Sequence, residues 1–210
     1  MPASTSLVGF AAAALVVLLI PGPGVLYIIA RSLSQGQRAG LVSVLGLSAG
    51  ALVHVGAATL GLSAILLTSA TAFGVVKMLG AGYLIYLGIR ALLERPSTTS
   101  AVDTSPPRSL TRLFTDGVVV SVLNPKIAVF FLAFLPQFVE PGRGSIAVQV
   151  LLLGLLYVTL ALCTDSAYAL LAGHLRGWLS GRVVGGPLPR YASGAVYIGL
   201  GVSTAMTDPS

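Results

Sequence analysis

Four ionisable side chains, Lys77, Asp116, Lys126 and Asp165, stand inside stretches that are otherwise apolar. On insertion scales a charge at the centre of a bilayer costs roughly 2.5–3.5 kcal/mol, so each needs a partner, a watery cavity or a task. Depth separates them. Lys77 is expected near a helix end, where its long stem can snorkel to the interface as an anchor. Asp116 falls in a first helical turn, where it can cap the helix or complement its dipole. Lys126 lies ten residues beyond Asp116, about 15 Å along a straight helix, and therefore in mid-membrane. Asp165 comes late in its helix, with Tyr168 on the same face three residues on. A buried ammonium and a buried carboxylate can serve a solute path, or can be a structural ion pair that only holds a bundle together.

The rest of the chemical inventory is sparse. One cysteine, Cys163, makes neither an intramolecular disulfide nor a cysteine-based metal site. The two histidines are isolated. His54 reads as a hydrogen-bonded packing residue and His174 as a solvated one. Asn124 offers a carboxamide next to a helix break, either to a ligand or to the freed backbone. Gly46-Leu47-Ser48-Ala49-Gly50 matches the G-x-S-x-G nucleophile elbow, but that elbow needs a strand-to-helix turn. Here it sits within a long apolar run, where Gly46 and Gly50 make a small-residue face for helix packing. Serine hydrolysis is rejected, and no cofactor or enzyme activity is expected.

These residues require membrane helices to position them. Of 210 residues, 55% are hydrophobic and 9% charged, with a mean hydropathy of +0.94; soluble domains carry about 25% charge. The chain is an all-α, polytopic membrane protein. A span needs about 20 apolar residues, which gives six helices near 6–30, 40–66, 72–93, 113–138, 145–172 and 190–206. The opening apolar stretch lacks a basic n-region and a convincing cleavage site, so it is read as helix one rather than as a signal peptide. Thr68–Thr71 marks a turn between the second and third helices. Residues 94–112, with Pro96 and Pro106-Pro107, tether a first half, 1–93, to a second, 113–210, within one membrane domain.

Charge sets the orientation. With six spans, Arg31, Arg38, Arg90, Arg95, Arg108, Arg112, Arg176, Arg182 and Arg190 share one side, and Arg143 stands alone on the other. By the positive-inside rule the nine face the cytoplasm and both termini lie outside it. Trp178 and Tyr191 flank the last cytoplasmic loop, as interface anchors do. The net charge of +6 is thus a topology signal, and no nucleic-acid partner is implied.

The halves look related. Lys77 to Gly88 can be laid on Arg190 to Gly201 so that Ile85/Ile198, Leu87/Leu200 and Gly88/Gly201 coincide. Three helices per half invert the second copy, giving the 3+3 inverted repeat of many transporters. The first helix of each half is also interrupted: helix one by Pro21-Gly22-Pro23-Gly24, helix four by Asn124-Pro125-Lys126. Proline removes a donor and blocks the carbonyl one turn back. Freed backbone groups survive in a bilayer only where protein or water satisfies them. Matched breaks in two halves are the sequence sign of a transport site.

At these residues the chain resembles the LysE/RhtB amino-acid exporter family. Pro21-Gly22-Pro23, Gly36-Gln-Arg38-Ala-Gly40 and Gly46-Leu-Ser-Ala-Gly50 are similar to its opening. Lys77 to Gly88 looks like its third helix. Phe114-Thr-Asp-Gly117 through Leu123-Asn124-Pro125-Lys126 resembles its fourth. One departure is Gly24, where the family commonly places Asn. The resemblance implies a secondary exporter of amino acids or close derivatives from the bacterial cytoplasm, across the inner membrane and driven by protons.

For such a substrate, Lys126 with backbone N–H groups at a half-helix N-terminus suits the carboxylate. Asp165 or Asp116 suits the ammonium group, and either can instead carry the coupling proton. The expected substrate site is Pro21, Gly22, Pro23, Gly24, Asn124, Pro125, Lys126 and Asp165. The expected partners are a small amino acid, protons and the lipid bilayer, with room for a homo-oligomer. The alternatives are export of another small solute or a metal cation, or a non-transporting membrane subunit. The scarcity of clustered metal ligands argues against the cation.

Overall fold

The computed structural model describes residues 4–68 and 108–175, together with the isolated positions 75, 78, 82, 86 and 89. The first helix, α1 (Ser4–Leu19), ends where Pro21 removes a donor and crowds the carbonyl one turn back. Pro23 then opens α2 (Pro23–Gln35) at the first helical position, where a missing N–H costs nothing. The two pieces meet at 53°, as one broken span. Only Gly36 separates α2 from α3 (Gln37–Thr68). Its φ of 89° lies in the left-handed region that glycine enters freely.

The second broken span has the same logic. Ser109 caps α4 (Leu110–Val122), its hydroxyl accepting the Arg112 N–H at 3.3 Å. This helix starts slightly before the expected residue 113. Asn124 then caps α5 (Pro125–Val129), with Pro125 at the first position. The chain continues as a π-helix over Phe130–Phe134 and a 3-10 turn over Leu135–Phe138. The bend between the two parts is 46°. After a 3-10 turn at Pro141–Arg143, α6 (Ile146–His174) runs as one unbroken helix.

Helices α3 and α6 are long and apolar enough to cross a membrane, and each bent pair can make one further span. Helix α3 packs along α4 and α6, α2 lies against α3 and α6, and α1 rests on α6. Close approach of α3 to α4 depends on small residues. A side chain at Gly46 would collide with the Phe114 carbonyl, and one at Gly117 would come within 2.9 Å of the Ser43 carbonyl.

The distribution of polarity is inverted relative to a soluble protein. Val8, Leu19, Leu26, Leu52, Leu60 and Leu123 face outward, whereas Ser32, Ser43, Ser121, Asn124, Lys126 and Gln149 are buried. Such an exterior suits hydrocarbon. The chain is an integral membrane protein, all-helical among the described residues. The expected third and sixth helices, Lys77, Trp178, Tyr191, most of the tether and the Lys77/Arg190 repeat lie outside the described residues.

Candidate functional site: a charged pocket at two helix breaks

The two breaks meet at one pocket. It spans about 480 Å³ of space between the atoms, the open solvent at its mouth included. Gly22 and Gly24 come from the first break, Asn124 and Lys126 from the second, and Asp165 from α6. Five of the eight residues expected at the site therefore line a single cavity. Pro21, Pro23 and Pro125 shape the breaks but do not line it. The rings of Pro23 and Pro125, each at a first helical position, point outward and are exposed.

Lys126 is nearly buried, with 7% of its surface exposed. Its backbone N–H donates to Asn124 Oδ1 at 3.0 Å, which fixes the start of α5. Its Nζ crosses to the other break and donates to the Ile20 carbonyl at 2.7 Å. That carbonyl has no helical partner because the chain turns away at Pro21. The adjacent Leu19 carbonyl accepts from the Tyr168 hydroxyl at 2.8 Å. Gly22 leaves space for the lysine stem, since a Cβ there would lie 3.3 Å from Lys126 Cδ. Among the described residues no ion pair joins Lys126 to Asp165, although both line the pocket. The two opposite charges face a shared space instead of closing on each other.

The second break is served in a similar way. His54 Nε2 lies 3.1 Å from the Ser121 carbonyl near the end of α4. A carbonyl only accepts, so this nitrogen carries the proton. His54 also stacks on Phe131, with ring centroids 6.3 Å apart. The packing role expected for it is thus accompanied by a specific one, capping a broken helix. His174 is exposed in the last turn of α6.

Asp116 lies apart from this pocket. Its carboxylate accepts from Arg108 Nη1 at 2.7 Å, both side chains being about one-third exposed. Nearby, the Tyr27 hydroxyl donates to the Leu113 carbonyl at 2.9 Å, tying α2 to α4. Ser48 lines the pocket from within α3, and the G-x-S-x-G stretch is helical throughout. Residue types alone did not point to Tyr157, Leu47 or Ala161 as pocket residues. Tyr157 carried the only available signal, a hydroxyl deep in an apolar helix.

Apolar spans broken around a buried, charged pocket place this molecule in the class of membrane transporters. The LysE type translocator model matches residues 15–207, and the chain belongs to that family. A membrane protein of Vibrio cholerae, described as uncharacterized, is 36% identical over 162 residues, which is 77% of this chain and 78% of the relative. The homoserine/homoserine lactone efflux protein of Salmonella typhimurium is 32% identical over 166 residues, 78% of each chain. The leucine efflux protein of Salmonella choleraesuis is 25% identical over 150 residues, 71% of each. No solved structure matches. The protein is a translocator and not an enzyme.

Proposed function

We propose that this protein exports amino acids or close derivatives from the bacterial cytoplasm across the inner membrane, coupled to protons. Six spans in a 3+3 inverted repeat, with both termini outside the cytoplasm, complete this reading. One observation carries it: Lys126 and Asp165 face a common pocket at two helix breaks without pairing. An amino-acid zwitterion presents the complementary charges, a carboxylate for Lys126 and an ammonium for Asp165. The names of the efflux relatives point to the same substrate chemistry.

Asp165 is the better placed of the two proton-coupling candidates, because it lines the cavity while Asp116 is held by Arg108. Alternating access then exposes the pocket to either side by moving the segments on either side of the breaks. The decisive experiment presents a broad amino-acid panel to the outside of inverted membrane vesicles under an imposed pH gradient. Gradient-dependent uptake of at least one amino acid is expected. Absence of uptake across the panel overturns the proposal.

A further inference from the structure

We propose that Gly24 sets the size limit of the substrate side chain, and that the pocket accepts only zwitterions whose side chain is uncharged. This rests on the amino-acid reading above and narrows it. Among the described residues Lys126 and Asp165 are the only acidic or basic groups lining the pocket, and a zwitterion uses both charges. The remaining wall is mainly Leu18, Val25, Leu47, Ala51, Ile127 and Ala161. A lysine or glutamate side chain would bring a third charge to a wall whose described residues offer it no further opposite charge, which is strongly disfavoured at low dielectric.

Gly24 is buried at the second position of α2, directly after the break. Its backbone does not require glycine: the positive φ values among the described residues belong to Gly36 and Gly144. What it contributes is space. A Cβ there would meet Leu47 Cδ2 at 3.2 Å and Asn124 Nδ2 at 3.8 Å, so it would enter the cavity between α3 and the second break. Gly22 differs. A Cβ at Gly22 would press on Lys126, 3.3 Å from Cδ and 3.7 Å from Nζ, and so would disturb the charge common to every substrate.

The two glycines therefore make separable predictions. In vesicles, uptake of alanine, homoserine, leucine, lysine and glutamate is measured for the wild type, Gly24→Ala, Gly22→Ala and Leu47→Ala. The wild type should favour the neutral substrates over lysine and glutamate by at least about tenfold. Gly24→Ala should lower the leucine-to-alanine ratio of kcat/KM by about tenfold, the scale of one methylene in a tight pocket. Leu47→Ala should raise that ratio, and it carries the test if Gly24→Ala fails to insert. Gly22→Ala should lower all neutral substrates together. Lysine or glutamate moving as well as leucine, or an unchanged ratio in Gly24→Ala and Leu47→Ala, overturns this inference alone. Movement of no amino acid at all overturns the exporter reading with it.

Discussion

Two regions meet at Tyr157 and differ in almost every respect. On one side is the pocket of Gly22, Gly24, Asn124, Lys126 and Asp165. On the other, towards the start of α1, is a dry cluster of Phe10, Phe130, Phe131, Phe134 and Phe138. Tyr157 lines the pocket and also packs on Phe130 and Phe131, with centroids 4.6 and 5.2 Å apart. A π-helical turn widens the helix from Phe130 to Phe134 and gathers these rings. Beyond them Glu140 ties the end of the span down. Its carboxylate accepts from Ser6 Oγ at 2.7 Å and pairs with Arg143 Nε at 2.6 Å. The buried Gln149 side chain hydrogen-bonds to both backbone groups of Glu140.

The difference shows how one bundle divides its work. Where helices break, freed carbonyls draw in polar side chains, and a charged site follows from satisfying the backbone. Where the helix is widened but continuous, no polar group is needed, and large rings fill the space and exclude water. On the proposed reading, the pocket exchanges with a solute. On the same reading, the aromatic cluster closes the Ser6 end.

Four variants would break or sharpen this division. The largest effect is expected from Lys126→Ala, which should reduce transport by about 100-fold or more, the scale of losing a charge-assisted contact. Circular dichroism of the purified protein should retain its helicity. Loss of insertion or helicity would identify Lys126 as a structural tie to Ile20. Next comes Phe130→Ala, which should lower stability by about 3–5 kcal/mol through the cavity left in the aromatic cluster. Its signature is a reduced Tm, while bound amino acid still shifts the Tm upward.

A smaller loss follows from His54→Leu, which leaves the Ser121 carbonyl without its side-chain donor. The Asn124 N–H still donates to that carbonyl at 3.1 Å, so the expected cost is about 0.5–1.5 kcal/mol in thermal unfolding, and His54→Gln should restore part of it by donating from its amide. The smallest effect belongs to Glu140→Gln. The Arg143 pair is substantially exposed, so its loss should cost about 1 kcal/mol or less. A cysteine at Ala161 in a Cys163→Ser background should then react faster with an impermeant thiol reagent from the Ser6 side. An unchanged rate would show that the rings alone close that end.

Much of this was legible in residue order. Pro21-Gly22-Pro23 and Asn124-Pro125 announce broken helices because proline acts on its own turn, whatever surrounds it. Lys126 and Asp165 announce a site because a charge in hydrocarbon is costly in any fold. Helix rotation is another matter, since α1, α3 and α6 are apolar nearly all round and carry no stripe that says which face turns inward. For that reason Tyr157, Leu47 and Ala161 could not be placed in the pocket; Asp116 was excluded from it only by its contact with Arg108.

The sequence by itself determined the medium, the breaks and the identity of the buried charges, because composition and proline chemistry act locally. The tertiary structure decided which groups meet. Lys126 reaches the Ile20 carbonyl across 106 positions of chain, and His54 reaches Ser121 across 67. It also decided that Lys126 and Asp165 share a cavity without pairing, and that Gly24 is a matter of space rather than of backbone. Each of these depends on helix packing, which is fixed by small-residue contacts such as Gly46 against α4 and by the need to satisfy every freed backbone group at once.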